Sequence, residues 1–556
     1  MDKIWLKRYP PYVPAEIDVS SYDSLVDLYR ESVGKFRDRP AYENLGRTLT
    51  YGEFDQLVKQ FATYLTSILG LSRGDRIAIM MPNLLQYPVA LFAAIRAGLI
   101  VVNTNPLYTA RELKHQLNDS GAIAIVVLDN FAHTLEKIIS ETSIRHVITT
   151  SIGDMAGFPK SLLVNFVVRH IRKMVPPYSI DGCVRFRDTL MTRGKYSFED
   201  ADLGHNDIAF LQYTGGTTGV AKGAILTHRN IIANLLQAHA WTANDLVPGK
   251  EVFITALPMY HIFALLANAL FAMQMGAKNR LITNPRDLPA LIKELSREPF
   301  SFISGVNTLF NAMLHTPGFE KLDFSKLKIV LGGGMAVQRA VAEPWQEVTG
   351  TTLLEAYGLT ETSPAAAINP LDIDGYNGSI GLPIPSTEIS IRDKNNEQLP
   401  YGERGELCIR GPQVMQGYWQ RPEETAAAID EDGWFHSGDI ATMNEEGFIN
   451  IVDRLKDMIL VSGFNVYPNE IEEVLAAHPG VLEAGVIGIS DEKSTEAVRA
   501  VVVLKDASLT EKALHDYARE NLSAYKCPKS WIFVDELPKS SVGKILRREL
   551  REMYGK

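Results

Sequence analysis

The chain has 556 residues, 46% of them hydrophobic and 22% charged, with a formal net charge of -10 and three cysteines. That length exceeds what a single core fills, so two or more domains are expected. The acidic balance excludes a general nucleic-acid binder, whose surface would be strongly basic. Cys183, Cys408 and Cys527 are scattered, with no CxxC pair and no His at metal spacing. They read as buried apolar thiols in a reducing compartment, without a disulfide framework or a zinc site.

In chain order, the opening MDKIWLKRYPPYVP carries Lys3, Lys7 and Arg8 and does not read as a signal peptide. From about residue 50, short β-rich apolar runs alternate with helical stretches. RIAIMM precedes LLQYPVALFAAIRAG, LIVVNTN precedes ARELKHQLNDSG, and AIAIVVL precedes FAHTLEKIIS. Such alternation predicts parallel sheets covered by helices. Residues 159–175, PKSLLVNFVVRHIRKMV, contain Lys160, Arg169, Arg172 and Lys173 and no acid. As a helix this segment places its basic residues on one face and Leu163, Phe166, Val167, Ile171 and Met174 on another. Two readings stay open: a basic amphipathic helix lying on an anionic membrane, or a helix packed on the sheet with a solvated basic edge. The strand pattern resumes with IAFLQYT, EVFITALP, FSFISGV and LKIVLGGG. The run Ile262–Met273 is too short for a membrane span and predicts a buried core helix. After about residue 378 the strands shorten between Gly and Pro turns, a small β-rich subdomain. From 458 a unit the size of an independent domain begins. The expected division is 1–453, with the β-rich part at about 378–453, a hinge at 454–457, and a second domain at 458–556.

Four segments carry chemistry. Tyr213–Ala224, YTGGTTGVAKGA, lies between the strand IAFLQYT and a helix expected to begin near Thr227. A Gly-rich turn from strand to helix gathers backbone N–H groups into a concavity suited to phosphate oxygens. Thr214, Thr217 and Thr218 add hydroxyls and Lys222 adds a charge. The P-loop spacing is absent, because Lys222 follows Ala221 and precedes Gly223. This loop alone leaves kinase, ATPase and ligase open. In LEAYGLTETSP (354–364), Glu361 is a hard oxygen donor for Mg2+ or, as a lone acidic loop residue often is, simply solvated. In DGWFHSGDIATMNEEGFINIVDRLK (432–456), the Asp439 carboxylate suits a ribose diol and the Arg454 fork suits phosphate or ribose oxygens. In LPKSSVGKILRREL (537–550), Lys544 follows Gly543 at the expected start of a basic helix.

Taken together and in this order, the four segments resemble the acyl-adenylate-forming enzymes, which include acyl-CoA synthetases, peptide-synthetase adenylation domains and luciferases. The resemblance is nearest to the bacterial fatty acyl-CoA synthetases and covers almost the whole chain, through MMPNLLQYPVALF, ALPMYHIFAL, GVNTLFNAML and VSGFNVYPNEIE. Ser437 stands where the 25-residue signature more often has Thr. The resemblance implies a large N-terminal domain of parallel α/β sheets with a β-barrel-like subdomain, and a small mobile α+β C-terminal domain. It implies activation of a long-chain fatty acid by ATP to acyl-AMP, then transfer to coenzyme A, feeding β-oxidation. Mg2+ is the implied metal.

Roles follow position by position. Tyr213, Thr214, Gly215, Gly216, Thr217, Thr218, Gly219 and Lys222 would hold the β- and γ-phosphates. Thr217 or Thr218, with Glu361, would hold Mg-ATP. Gly332, Gly333, Gly334, Tyr357, Gly358 and Thr360 would flank the nucleotide, and Asp439 with Arg454 its ribose. Lys544 would bridge carboxylate and α-phosphate, and His261 would face the carboxylate or be a hydrogen-bonded core histidine. Lys456 occupies the hinge position, Gly463 the coenzyme A side, and Gly305, Val306 and Asn307 the acyl tunnel. The expected setting is cytoplasmic, with peripheral contact at the inner face of the bacterial inner membrane; a homodimer stays open. The rivals are an acyl-AMP ligase serving a carrier protein and a nucleotide-binding protein without turnover. Chain-length preference is not legible, since one methylene changes specificity by only about 1–3 kcal/mol.

Overall fold

The computed structural model of the chain describes residues 3–191, 196–214, 221–462, 464–491 and 494–555. Two large sheets organise the first three quarters. The eight-stranded sheet is parallel through Arg76–Met80, Ile100–Asn103, Ala124–Leu128, His146–Thr150, Val184–Arg185 and Ile208–Thr214. The nine-stranded sheet is parallel through Pro40–Asn44, Lys278–Leu281, Val252–Thr255, Phe302–Gly305, Ile329–Gly332 and Leu353–Gly358. These strands are near-continuous Val, Ile and Leu runs because both faces are covered. Helix Gln86–Arg96 is buried along its whole length, as expected of a helix apolar on all sides. One hydrophobic core cluster takes in residues of both sheets.

The antiparallel strands expected after residue 378 form a four-stranded sheet of Glu388–Arg392, Gly405–Arg410, Phe435–Met443 and Ile449–Arg454. The last unit is a five-stranded sheet around the long pair Val481–Asp491 and Thr495–Leu504, flanked by helices Pro468–Ala476, Glu511–Asn521 and Arg547–Tyr554. It has cores of its own, separate from that of the large sheets.

Five expectations are corrected. The Gly-rich loop does not run from strand to helix. The segment after it, KGAILT, forms strand Lys222–Thr227, antiparallel to Ile208–Thr214, so the loop closes a hairpin. The helix follows that strand at His228–Thr242, with a Thr227–Asn230 capping box. The C-terminal basic helix starts at Arg547, not Lys544. The apolar run is buried, but it is broken into Ile262–Ala264, a wide π-type segment Leu265–Leu270 and Phe271–Gln274. Cys408 and Cys527 are buried, whereas Cys183 is exposed. Lys160–Phe166 and Val167–Ile171 are helical turns that bury none of their residues. Packing of 159–175 as a core-facing helix therefore fails, because Leu163, Phe166, Ile171 and Met174 stay exposed. No helix among the described residues is long and apolar enough to cross a membrane.

Candidate active site

The carboxyl ends of the parallel strands open onto a cavity of about 1850 Å3, the place where ligands settle in open α/β sheets. Residues from both large sheets, the four-stranded sheet and the C-terminal unit line it.

Register builds the side of the cavity where a nucleotide is expected. Gly305 pairs with Gly332, and Gly332 with Glu355, across three parallel strands. Tyr357 and Gly358 line the cavity from the end of their strand, and Gly333, Gly334 and Thr360 from just beyond the strand ends. Gly358 has no substitute, since a Cβ there would stand 1.9 Å from the Pro364 carbonyl oxygen. On the four-stranded sheet, antiparallel pairing sets Asp439 opposite Arg454. The Tyr357 hydroxyl donates to Asp439 Oδ2 at 2.5 Å, and Arg454 Nε lies 3.3 Å from Oδ1. Ser437, the departure from the usual Thr, accepts the Asp439 N–H at 3.1 Å, so a small hydroxyl suffices to hold this turn. Burial, then Asp439, holds the Tyr357 phenol far above its usual range.

The Gly-rich loop expected to hold phosphate is anchored at its two stems. Thr214 pairs with Lys222. The Tyr213 hydroxyl donates to Asp119 Oδ2 at 2.7 Å, and Arg421 Nη2 donates to Asp119 Oδ1 at 3.0 Å. Gly215, Gly216, Thr217, Thr218 and Gly219 lie outside the described residues, as does Gly463. Glu361 is buried, and its Oε1 accepts from the Tyr418 hydroxyl at 2.7 Å. Lys222 Nζ lies 4.5 Å from the centroid of the Tyr418 ring. Burial pushes the Glu361 carboxyl up, against the opposing pull of Tyr418, Arg454 and Lys222. A buried carboxylate beside a lysine at the foot of the loop is the donor Mg2+ uses when phosphates complete its shell; Glu361 fits that ion.

The C-terminal unit closes the site. Its loop 538–546 reaches over strand end Phe302–Gly305, where the Thr308 hydroxyl donates to the Gly543 carbonyl at 3.0 Å. Gly543 has φ +88°, and a Cβ there would press on Thr308 at 2.9 Å and Val306 at 3.2 Å. Lys544 thereby enters the same cavity as His261, Asp439, Arg454 and Lys456. Burial, then Arg454, Arg547 and Lys456, pulls its amine down to about 7, with Asp439 opposing. His261 caps its helical segment by accepting the Phe263 N–H on Nδ1 at 3.4 Å. That bond leaves the ring proton on Nε2. Burial and then Lys544 hold this histidine down to about 4, so it is neutral near pH 7.

Lys456 sits in the turn after Arg454 and lines the cavity; burial, then Arg454, lowers its amine to about 8. Around it, Arg547 Nη1 donates to Asp453 Oδ1 at 3.0 Å, and Arg551 Nη2 to Asp457 Oδ1 at 2.8 Å. Of the three tunnel positions, Val306 lines the cavity. Gly305 packs beneath Phe310, and Asn307 is tied to Gln338 by two 3.0 Å hydrogen bonds. Ala238, Trp241, Leu266, Ala267 and Phe271 form a further apolar stretch of the cavity wall. Sequence reasoning missed these wall residues, and also Tyr418 and Glu355, whose buried carboxyl is pushed up to about 8.

Residues 29–419 match the AMP-binding enzyme family, and residues 470–544 match the AMP-binding enzyme C-terminal domain. Among curated relatives, the long-chain-fatty-acid–CoA ligase of Escherichia coli O6:H1 is 56% identical over 552 residues, 99% of this chain and 98% of the relative. That of Yersinia pestis is also 56% identical over 552 residues, with the same shares covered. A crystal structure of an anthranilate CoA ligase in complex with anthranoyl-AMP superposes with a TM-score of 0.86 at 24% identity, covering 97% of this chain and 99% of that one.

Proposed function

Because the chain belongs to the AMP-binding enzyme family, we propose that its site works as a long-chain fatty acid–CoA ligase: fatty acid, ATP and coenzyme A give acyl-CoA, AMP and pyrophosphate. The relatives at 56% identity over nearly the full chain support this reading. The observation that carries it is Lys544 sharing one cavity with His261, the Tyr357–Asp439–Arg454 group and Glu361.

A carboxylate resists thiol attack because its leaving group would be oxide. Attack of the carboxylate on the α-phosphorus forms acyl-AMP and expels pyrophosphate, and the coenzyme A thiol then displaces AMP. The first step brings a carboxylate against a polyanion, so preorganised cations lower the barrier. Lys544 supplies one between the two anions. Arg454 and Lys222 add charge along the nucleotide. His261, neutral with its proton on Nε2, donates to the fatty carboxylate without adding charge. Asp439 accepts the ribose hydroxyls, and Tyr357 orients that carboxylate. Glu361, held by Tyr418, would carry Mg2+, which supplies charge neutralisation on the phosphates. The apolar stretch between Ala238 and Phe271 forms the arm that takes the alkyl chain.

The second step requires Lys544 to leave the thiol's path. The Thr308–Gly543 and Asp453–Arg547 bonds hold the C-terminal unit down. Rotation at Lys456 breaks them and withdraws the amine, a gating step of the kind that swaps two catalytic arrangements over one intermediate.

We further propose that residues 159–175, together with the neighbouring Phe158, rest on an anionic membrane. Phe158 is 85% exposed, and Leu163 and Ile171 are each 64% exposed, beside exposed Arg172 and Lys173. Apolar side chains ringed by basic ones fit an anionic interface. Wild type should co-sediment with phosphatidylglycerol vesicles more than with phosphatidylcholine vesicles. Equal sedimentation of a Leu163→Asp/Arg172→Glu variant would overturn this placement.

The reaction itself is tested by AMP release from ATP with fatty acids of increasing length. Release should require both the acid and free coenzyme A and rise toward long chains. AMP release independent of coenzyme A, or none with any fatty acid, would refute the reading.

A further inference from the structure

On the face of the four-stranded sheet beside the nucleotide site, three unlike donors converge. Cys408 and His436 are directly opposite each other on neighbouring antiparallel strands. Glu406 precedes Cys408 by two residues and so shares its face. His436 Nδ1 lies 3.0 Å from Glu406 Oε2 and 3.5 Å from Cys408 Sγ. The three donor atoms all fall within 4.8 Å of one another. Tetrahedral coordination with Zn–S of about 2.3 Å and Zn–N and Zn–O of about 2.0–2.1 Å would set the N–S and N–O separations near 3.5 and 3.4 Å. The two separations from His436 lie within a few tenths of an ångström of these values.

The surroundings are those of a metal site. His436 Nε2 points at Asp430 Oδ2, 3.5 Å away, the carboxylate–imidazole arrangement that fixes the tautomer of a ligating histidine. Asp430 is itself held by the Trp434 N–H at 2.8 Å and by Arg392 Nη1 at 3.0 Å. The Glu406 carboxylate is oriented too, since its Oε1 accepts the Gly438 N–H at 3.0 Å. His436 and Glu406 are 22% and 25% exposed at their side chains, which gives an ion a route in, while Cys408 lies beneath them.

We propose that Glu406, Cys408 and His436 bind a zinc-class divalent cation, with a fourth position left for water. Thiolate and imidazole together favour Zn2+ or Co2+ over Mg2+. On binding, the metal–sulfur bond replaces the thiol proton, which passes to solvent. The site is separate from the Mg2+ position at Glu361. It couples to the ligase reading through Glu406: the same carboxylate anchors Gly438, next to Asp439. Occupancy therefore shifts the ribose-holding turn and slows adenylation. The absence of any Cys–His spacing in the sequence is explained by the register, which joins residues 28 apart.

The test uses full-length chain stripped with chelator. Zinc alone is titrated against a chromophoric chelator, and cobalt is titrated while thiolate-to-metal absorption is followed. One equivalent should bind tightly to wild type, and affinity should fall about tenfold to hundredfold or more in Cys408→Ser and in His436→Asn. Cys183→Ser and Cys527→Ser should bind as wild type does. Urea midpoints identify a variant that fails to fold, in which case His436→Asn, on the exposed rim, decides. Zinc binding that survives both changes, or that is lost in Cys183→Ser, would overturn the site. Pyrophosphate release that falls with zinc in wild type but not in His436→Asn is the expected coupling; no fall in wild type would overturn the coupling. Chelator competition needs no turnover, so failure of the ligase reading and failure of the metal site are read separately.

Discussion

Replacing Lys544 by methionine removes a charge that its surroundings disfavour until an anion arrives. Burial among Arg454, Arg547 and Lys456 brings the amine from 10.5 to about 7. A depressed lysine is largely neutral above that value in the docked arrangement and fully charged when the C-terminal unit swings free. Docking without nucleotide is therefore opposed by protonation. That opposition is greatest below about pH 7 and fades as pH rises toward 10.5. An α-phosphate beside the amine reverses the shift, so binding ATP draws in a proton. Starting from the docked arrangement, uptake should be clear at pH 8 and smaller at pH 7. Calorimetry of Mg-ATP binding in buffers of different ionisation enthalpy measures this uptake. Lys544→Met should lose the uptake at both pH values while keeping the protons that belong to ATP itself. Equal proton counts in wild type and Lys544→Met would refute the placement of the amine against the phosphates.

Four further outcomes follow from the same geometry. Lys456→Pro should leave acyl-AMP formation near wild type and slow the coenzyme A step, read by separate pyrophosphate and thioester assays; an intact overall rate would remove the hinge from Lys456. Tyr418→Phe deletes a hydrogen bond to a buried carboxylate worth about 1.5–3 kcal/mol, so kcat/KM for Mg-ATP should fall about tenfold to hundredfold, and Glu361→Gln should exceed that loss. Asp453→Asn weakens the Arg547 latch and should slow adenylation while sparing thiolysis of supplied acyl-AMP. Ala238→Phe fills the apolar arm; at about 0.8 kcal/mol per displaced methylene, kcat/KM for long chains should drop about tenfold to hundredfold while octanoate is spared.

Local signals carried much of this architecture. Strand Ile208–Thr214 and helix His228–Thr242 were legible because a short apolar run and a capping Thr are read within a few residues. Asp439, Tyr357 and Glu361 stand out because turns and long motifs mark them, and they meet in the cavity. What escaped depends on contacts remote in sequence. Whether KGAILT is a strand or part of a loop is settled by its partner Ile208–Thr214. Gly305 and Asn307 have the composition of a tunnel wall, but Phe310 and Gln338 occupy them. Leu266, Ala267 and Phe271 line the cavity from within Ile262–Gln274, where uniform apolarity conceals which side faces it. The amphipathic pattern at 159–175 reads alike for a core helix and an exposed one, and only the absence of burial there separates them. Cys408 and His436 become neighbours through strand register alone.

The central claim is that Lys544 serves adenylation and must then leave. Single-turnover kinetics of Lys544→Ala in the two half-reactions test it most directly. Acyl-AMP formation from fatty acid and Mg-ATP should fall at least about 10²–10³-fold, the cost of one preorganised charge-stabilising donor. Thioester formation from supplied acyl-AMP and coenzyme A should stay within a few-fold of wild type. An equal loss in both half-reactions would contradict the account.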